Sequence, residues 1–368
     1  AYQNSDLAQS ATAQILFGAR PALGKLPVSI NNLYPQGTGF VYNASSRLAY
    51  GFAHNQGMNP EFEFKIDSVV NHALKEKMTP GAQLIIAKNG VTIYDKNFGF
   101  HTYKKQRPVT SKDVYDLASL TKILATLPLF IELEEENKIS INDSLYSHLP
   151  ELTDTNKANI TFKRMLSHYA RLQPWIPFYL ETLENPELYY RDKLDMSHTN
   201  EIAKNFYVRN DYTDSIYSKI IKSKLREDPE YKYSDLPFYL LKRIIERNYN
   251  AGLNYLIVDR FYDKMGIQNM RYFPLKHFEL DRIIPTENDL VWRKQLLQGY
   301  VHDQGAALMG GVGGHAGLFA NANDVAKFMQ MYLNGGVYGD AKLLKAETIN
   351  KFNTCYYCEE EVRRGVGF

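Results

Sequence analysis

Ser119 and Lys122 lie three residues apart in the run Tyr115-Asp116-Leu117-Ala118-Ser119-Leu120-Thr121-Lys122-Ile123. Residues at that spacing share a helix face, so a helical turn here would set the Lys122 amine against the Ser119 hydroxyl. A serine hydroxyl is a weak nucleophile near neutral pH, and an adjacent amine that takes its proton is one way to activate it. A helix start would add free backbone N–H groups and a positive dipole end, both of which favour negative charge developing at Ser119. About one Ser-x-x-Lys match is expected by chance in a chain this long, and no second copy occurs. The plain alternative is a serine that caps a helix beside a solvated lysine. The neighbouring residues bear on the choice. Val114 to Leu117 ends an extended stretch, and Ile123-Leu124-Ala125-Thr126-Leu127 continues as an apolar helix, so a buried helix would carry the serine in its first turn.

Asp116-Leu117-Ala118-Ser119-Leu120-Thr121-Lys122 resembles the first active-site motif of the serine hydrolases related to class C β-lactamases and penicillin-binding proteins. That group also contains esterases, D-amino-acid peptidases and muramoyl-peptide amidases. The resemblance implies a second motif downstream, Tyr-x-Asn or a variant, and Tyr233-Ser234-Asp235 stands there, followed at once by Leu236-Pro237-Phe238-Tyr239-Leu240-Leu241. It also implies that Tyr233 works with Lys122 in proton transfer. Tyr212-Thr213-Asp214 has the same spelling in a chain of 27 tyrosines, but spacing and the apolar helix that follows favour Tyr233. Asp235 departs from the more usual Asn. A carboxylate offers acceptors only, so it would seek a substrate N–H or the Lys122 ammonium.

The family places a third triad, His-x-Gly or Lys-Thr-Gly, on a late edge strand beside the nucleophile. His315-Ala316-Gly317 matches by letter and makes His315 and Gly317 candidates for substrate binding. The run Gly310 to Phe319 also resembles the Gly-rich loop that precedes the helix Asn323 to Leu333, where a loop histidine has a structural role. On that reading the triad would follow a segment like Arg363-Arg364-Gly365-Val366-Gly367-Phe368, and the chain would lack the last strands of the domain. His168, in Met165-Leu166-Ser167-His168-Tyr169, matches a family position near the nucleophile's helix and is expected to be a hydrogen-bonded structural histidine. Val301-His302-Asp303 invites a triad with Ser119, but Lys122 and Tyr233 already supply a base, so His302 and Asp303 are expected to brace the wall of the site.

Composition excludes several other chemistries. Lys+Arg 43 against Asp+Glu 41 leaves a net charge of +2 with no basic block, which speaks against a nucleic-acid partner. No apolar run reaches the length of a membrane span. The 9 histidines are scattered without His-Glu-x-x-His, and the 2 cysteines, Cys355 and Cys358, have no second ligand pair, so neither a metal nor any other cofactor is expected. The two cysteines read as incidental thiols near a helix. Hydrophobic residues at 44% and charged residues at 23% fit an ordinary globular protein. Oligomeric state is not legible.

The supporting elements follow from periodicity. Ile66, Val69, Val70, Ala73 and Leu74 lie at helical spacing within residues 64 to 77. Pro80 and Gly81 end that helix, and the apolar runs Ala82 to Lys88 and Val91 to Phe98 are joined by Asn89-Gly90, a hairpin signal. The expected fold is therefore α+β: a β-lactamase/transpeptidase-like antiparallel sheet flanked by helices, a mainly helical subdomain over about 120–310, and truncation at the C-terminus. Trp175, Tyr179, Tyr189 and Tyr190 could stack on a glycan, although tyrosines packing a helical subdomain are the commoner case. Residues 1 to about 60, with Ala13 to Gly18, Gly24 to Ser29 and Gly37-Thr38-Gly39, resemble the tail of family 3 glycoside hydrolases, with residues 61–368 the hydrolase domain. A sugar-cleaving and an amide-cleaving domain together imply a small or glycopeptide substrate derived from peptidoglycan, cut at the muramoyl-peptide amide or a terminal D-alanine bond. An esterase of the same fold and a non-catalytic muropeptide-binding module are the alternatives. The location implied is bacterial periplasm or exterior, with cytoplasm possible, since no signal peptide is visible.

Overall fold

The computed structural model describes residues 4–368, which divide into two compact units. The first takes residues 4–111 together with 322–343, and the second takes residues 112–321 together with 344–368.

In the first unit, strands β2 (Gly81–Lys88) and β3 (Val91–Gly99) form an antiparallel hairpin, and β1 (Ala49–Tyr50) adds to β3 in parallel to give the order β1-β3-β2. The turn is the one the sequence predicts. Asn89 (φ 54°) and Gly90 (φ 74°) both adopt left-handed conformations, which matches the twist of the flanking strands. A register shift at Ile86/Ala87 leaves Ile93 unpaired and marks a bulge in β3. Ala49 and Tyr50 lie on the N-terminal side of the expected boundary near residue 60, yet they pair with β3. The helix Phe62–Lys75 packs on β3 with Ile66, Val70, Ala73 and Leu74 partly buried, while Val69, counted on the same face, stands 69% exposed.

The second unit is built around the helices Leu127–Glu135 and Leu236–Tyr249. Pro128 and Pro237 open them, where a missing N–H costs nothing, and Asn250 in the left-handed region (φ 49°) ends the second. Leu127, Leu129, Phe130, Ile131 and Leu133 are fully buried, and Phe130 meets the rings of Phe162 and Phe352 at 5.0 and 6.0 Å. One expectation is refined here and one is corrected. Residues 120–310 carry short strands among their helices. Short antiparallel strands at Tyr190–Arg191, Asn200–Ala203 and Phe206–Val208, and at Glu287–Asp289 and Gln295–Leu297, interrupt them. Strands of two to four residues carry too little alternation to register as a period of two. Cys355 and Cys358 are a disulfide, not two thiols. The tight turn after the helix Ala346–Asn353 brings their Cα atoms to 5.7 Å, within bridging range.

Candidate active site

Ser119, Lys122, Tyr233, Asp235, His315 and Gly317 all belong to the second unit, and the local backbone explains how Ser119 is presented. The strand Tyr115–Asp116 pairs with Phe319–Ala320, and the chain then turns sharply at Ala118, whose φ of +44° is strained for a residue with a Cβ. Asp116 holds that turn. Its carboxylate accepts the Ala118 N–H at 2.9 Å and the His302 N–H at 2.7 Å. Burial pushes the Asp116 carboxyl above its ordinary range, and the two N–H groups oppose that rise. Instead of one α-helix beginning at the serine, Ala118–Leu120 forms a 3₁₀ turn and Lys122–Thr126 a wide π turn before α geometry begins at Leu127. Such widened turns recur at functional sites. Here the result leaves Ser119 exposed while Lys122 is only 3% exposed.

The expected pair meets. Lys122 Nζ lies 2.7 Å from Ser119 Oγ. It also lies 2.7 Å from Asp235 Oδ1 and donates to the backbone carbonyl of His315 at 3.3 Å. Lys122 is thus within hydrogen-bond reach of a hydroxyl and a carbonyl and has the Asp235 carboxylate as its ion-pair partner. Asp235 therefore takes the second of the two roles expected for a carboxylate at that position. Tyr233 is also present, with its ring centroid 5.2 Å from Lys122 Nζ and 4.7 Å from the His168 ring.

His168 is 3% exposed and sits in the left-handed region (φ 55°) just after the short helix Phe162–Leu166. Its Nδ1 accepts the Ser234 N–H at 3.2 Å, which ties the Tyr233 segment to the core. Burial, with help from the nearby Arg364 and Lys122 charges, pulls the imidazole down to about 3, so it is neutral at ordinary pH.

The Gly-rich run Gly310–Leu318 is part of this wall. Thr126 Oγ1 donates to the Gly314 carbonyl at 2.6 Å, and Leu318 N–H donates to Thr121 Oγ1 at 3.2 Å. A Cβ on Gly314 would come within 2.1 Å of the Phe238 carbonyl, so only glycine lets the loop lie close enough for His315 O to reach Lys122. The His315 ring faces elsewhere. It is 1% exposed, stacks on Tyr239 at 4.1 Å and pairs through Nε2 with Asp303 Oδ1 at 2.7 Å. Burial alone would raise the Asp303 carboxyl, but His315 and the Ala306 N–H hold it well below the usual carboxylate range. Of the two residues expected to bind substrate here, His315 thus contributes its carbonyl to Lys122 and its ring to the wall. Gly317 (φ +114°) lines a different, small cavity with Phe273, Tyr300 and Gly311.

A cleft of about 240 Å³ opens beside Asp235, walled by Trp175, Tyr179, Tyr239 and Asp303. Trp175 is 56% exposed there, whereas Tyr190 is buried and accepts the Trp292 indole N–H at 3.0 Å. Of the aromatics considered for a glycan, Trp175 and Tyr179 reach the cleft and Tyr190 packs the interior. Sequence reasoning missed Asp116 as the brace of the nucleophile turn, although it stood inside the quoted motif. It also missed Arg364, whose guanidinium carbon lies 5.3 Å from the Tyr233 ring centroid. No local signal marks Arg364, because its partner is far away in the chain.

A β-lactamase family model matches residues 66–368. An Escherichia coli K12 protein provisionally described as a D-alanyl-D-alanine carboxypeptidase is 32% identical over 317 residues, covering 78% of this chain and 68% of that protein. A Salmonella typhimurium protein of the same description is 31% identical over 301 residues, covering 74% and 65%. The chain thus spans about two thirds of the length of these relatives. Among solved structures, the octameric penicillin-binding protein homologue from Pyrococcus abyssi superposes with a TM-score of 0.58 at 20% identity, covering 80% of this chain and 60% of that one. A D-alanine carboxypeptidase from Burkholderia cenocepacia gives 0.57 at 16% identity, covering 80% and 70%. At these identities the structures speak to the fold.

Proposed function

This chain belongs to the β-lactamase family of serine hydrolases, and from that premise we propose that Ser119 opens a peptidoglycan-derived amide, a terminal D-alanyl bond, through an acyl-enzyme. The observation that carries the reading is the 2.7 Å contact between Lys122 Nζ and Ser119 Oγ on a strained, exposed turn. In this scheme Ser119 Oγ attacks the carbonyl carbon as its proton passes to Lys122. The ammonium so formed faces the Asp235 carboxylate and donates to the His315 carbonyl, which lowers the cost of charge in a buried place. Lys122, with Tyr233 beside it, then returns a proton to the leaving nitrogen, and the C–N bond breaks. Water attacks the ester, its proton passing to the same base, and Ser119 is released. The Ser119 backbone N–H would serve as one oxyanion donor, worth about 3 kcal/mol in other hydrolases.

Two considerations support the cell-wall substrate: the description of the curated relatives as D-alanyl-D-alanine carboxypeptidases, and the resemblance of residues 1 to about 60 to a family 3 glycosidase tail, which would join sugar and peptide cleavage in one polypeptide. The family match begins at residue 66, beyond that segment. Such an enzyme works in the periplasm or outside the cell. Among the described residues no helix is long and apolar enough to cross a membrane.

The test is product analysis by mass after incubating a muramoyl pentapeptide with the protein and with its Ser119→Ala variant. Ser119-dependent loss of D-alanine is the expected result. Release of the intact peptide from the sugar would move the assignment to a muramoyl-peptide amidase. Turnover confined to simple esters would make it an esterase, and retained binding without any turnover would make it a muropeptide-binding module.

A further inference from the structure

Two adjacent residues, His302 and Asp303, connect to both partners of the Ser119–Lys122 pair. The His302 N–H donates to the Asp116 carboxylate at 2.7 Å, and that carboxylate also accepts the Ala118 N–H at the nucleophile turn. The Asp303 carboxylate accepts the His315 Nε2–H at 2.7 Å, and the His315 carbonyl accepts from Lys122 Nζ at 3.3 Å. The two residues are themselves anchored. Arg293, 5% exposed, donates to the Val301 and His302 carbonyls at 2.7 Å each and pairs with Asp289 at 3.0 Å. A buried guanidinium met by a carboxylate on one side and by carbonyls on the other is a rigid support.

We infer that Asp303 is a positioning residue for the reaction, holding Lys122 against Ser119 through the His315 ring. The inference rests on the hydrolase reading above and deepens it. Lys122 meets a carbonyl in the middle of Gly313-Gly314-His315-Ala316-Gly317, where small residues leave the backbone little stiffness of its own. His315 carries the one large side chain in that stretch. Its ring is 1% exposed and lies on Tyr239 at 4.1 Å with 19° between the planes. Asp303 is the ring's one hydrogen-bond partner among the described residues, because Nδ1 is buried without one. A carboxylate offers acceptors only, so the proton sits on Nε2. Without Asp303 both ring nitrogens would be buried and unmet, a cost the ring escapes by turning away, and the carbonyl of the same residue would move with it. The neighbouring carbonyls have holders of their own, the Tyr272 hydroxyl for Gly313 at 3.0 Å and Thr126 Oγ1 for Gly314 at 2.6 Å. The displacement would therefore fall on residue 315 and on the lysine it meets.

Asp303 also caps a helix. Its Oδ1 accepts the Ala306 N–H at 2.7 Å at the start of Gln304–Leu308. Serine caps a helix as well as aspartate does, but its side chain is too short to reach the imidazole as well. Asparagine keeps an oxygen where both N–H groups point and gives up only the charge. The two substitutions thus separate the cap from the clamp.

The test measures kcat and KM for a neutral aryl ester, with turnover expressed per Ser119 site titrated by a fluorophosphonate, in the protein, Asp303→Ser, Asp303→Asn, His315→Phe and the double variant Asp303→Ser/His315→Phe. Asp303→Ser should lower kcat about 30-fold at nearly constant KM, the effect of losing a charge-assisted bond. Asp303→Asn should recover to within about fivefold of the protein. His315→Phe, which keeps a ring for Tyr239 without its nitrogens, should lose about as much as Asp303→Ser, and combining the two should cost nothing further. An unchanged kcat per titrated site in Asp303→Ser would overturn the inference, because a merely structural residue lowers the number of competent sites and leaves the rest as they were. So would a rise in KM at constant kcat, which would make Asp303 a contact of the cleft it borders. A full additional loss in the double variant would remove His315 from the route and overturn it too. If the His315→Phe proteins fail to fold, the other two variants decide alone: equal losses in serine and asparagine would assign the effect to charge and sink the positioning role. Ser119-dependent turnover by the unmodified protein upholds the hydrolase reading whatever the Asp303 variants do, and its absence sinks that reading and this inference together.

Discussion

Two buried lysines in the second unit show what burial does and does not accomplish. Lys157 is fully buried, and its ammonium donates to Asn156 Oδ1 at 2.8 Å, Ile221 O at 3.1 Å and the Ser223 carbonyl. All three are neutral oxygens, and the two carbonyls come from the end of the helix Tyr212–Lys222. Burial without a counter-charge pulls Lys157 down to about 8. Lys122 is just as hidden but has a carboxylate on one side and a serine hydroxyl on the other. The first lysine pins a helix terminus. In the proposed reaction the second has a nucleophile to activate, and the difference lies in the partners, since depth is common to both.

The largest effects should appear where that contrast is broken at the nucleophile. Ser119→Ala and Lys122→Met are each expected to reduce turnover by at least about 10³-fold, with far-ultraviolet circular dichroism unchanged. Lys157→Met should leave turnover per folded molecule at its original level; a comparable loss there would erase the distinction between the two lysines. Asp235→Asn comes next. It keeps the shape but removes the charge that Lys122 leans on, and kcat/KM should fall about 10- to 100-fold. An unchanged rate would mean that the ion pair is structural.

Smaller effects concern stability and carry opposite pH ranges. The folded-state value of Lys157 is depressed, so between about 8 and the ordinary lysine range the unfolded chain binds more protons. Stability should therefore rise with pH through that window, by about 3 kcal/mol in all, and chemical denaturation of Lys157→Met should lack the rise. His168 is depressed to about 3 from an ordinary value of 6.5. Its contribution is present above 6.5 and is lost on acidification at about 1.4 kcal/mol per pH unit. His168→Asn, which tolerates the left-handed backbone, should flatten the acid limb of the denaturation curve. A limb as steep as before would place the acid sensitivity elsewhere, for instance at Asp303.

The hairpin and the active site differ in how far their determinants reach. Asn89-Gly90 sets its turn from two residues, and eight paired positions follow from strand alternation. Ser119 with Lys122, and Tyr233-Ser234-Asp235 ahead of an apolar helix, were likewise legible, because each lies within a few residues and obeys helix spacing. The sequence by itself determined the fold class, offered Ser119 and Lys122 as a candidate pair and favoured Tyr233 over Tyr212, whose hydroxyl donates to the Phe178 carbonyl inside the unit.

Tertiary structure decided which acceptors the amine meets. The bond from Lys122 to the His315 carbonyl spans 193 positions, and it depends on a glycine at 314 pressed against Phe238. Asp303 found His315 and not Ser119, Arg364 found Tyr233, and the two cysteines closed a turn that composition had left as free thiols. Local propensity acts through dihedral angles and neighbours a turn away. Contacts of that length are settled by which apolar faces pack together, and the polar groups on those faces then pair with whatever the packing sets beside them.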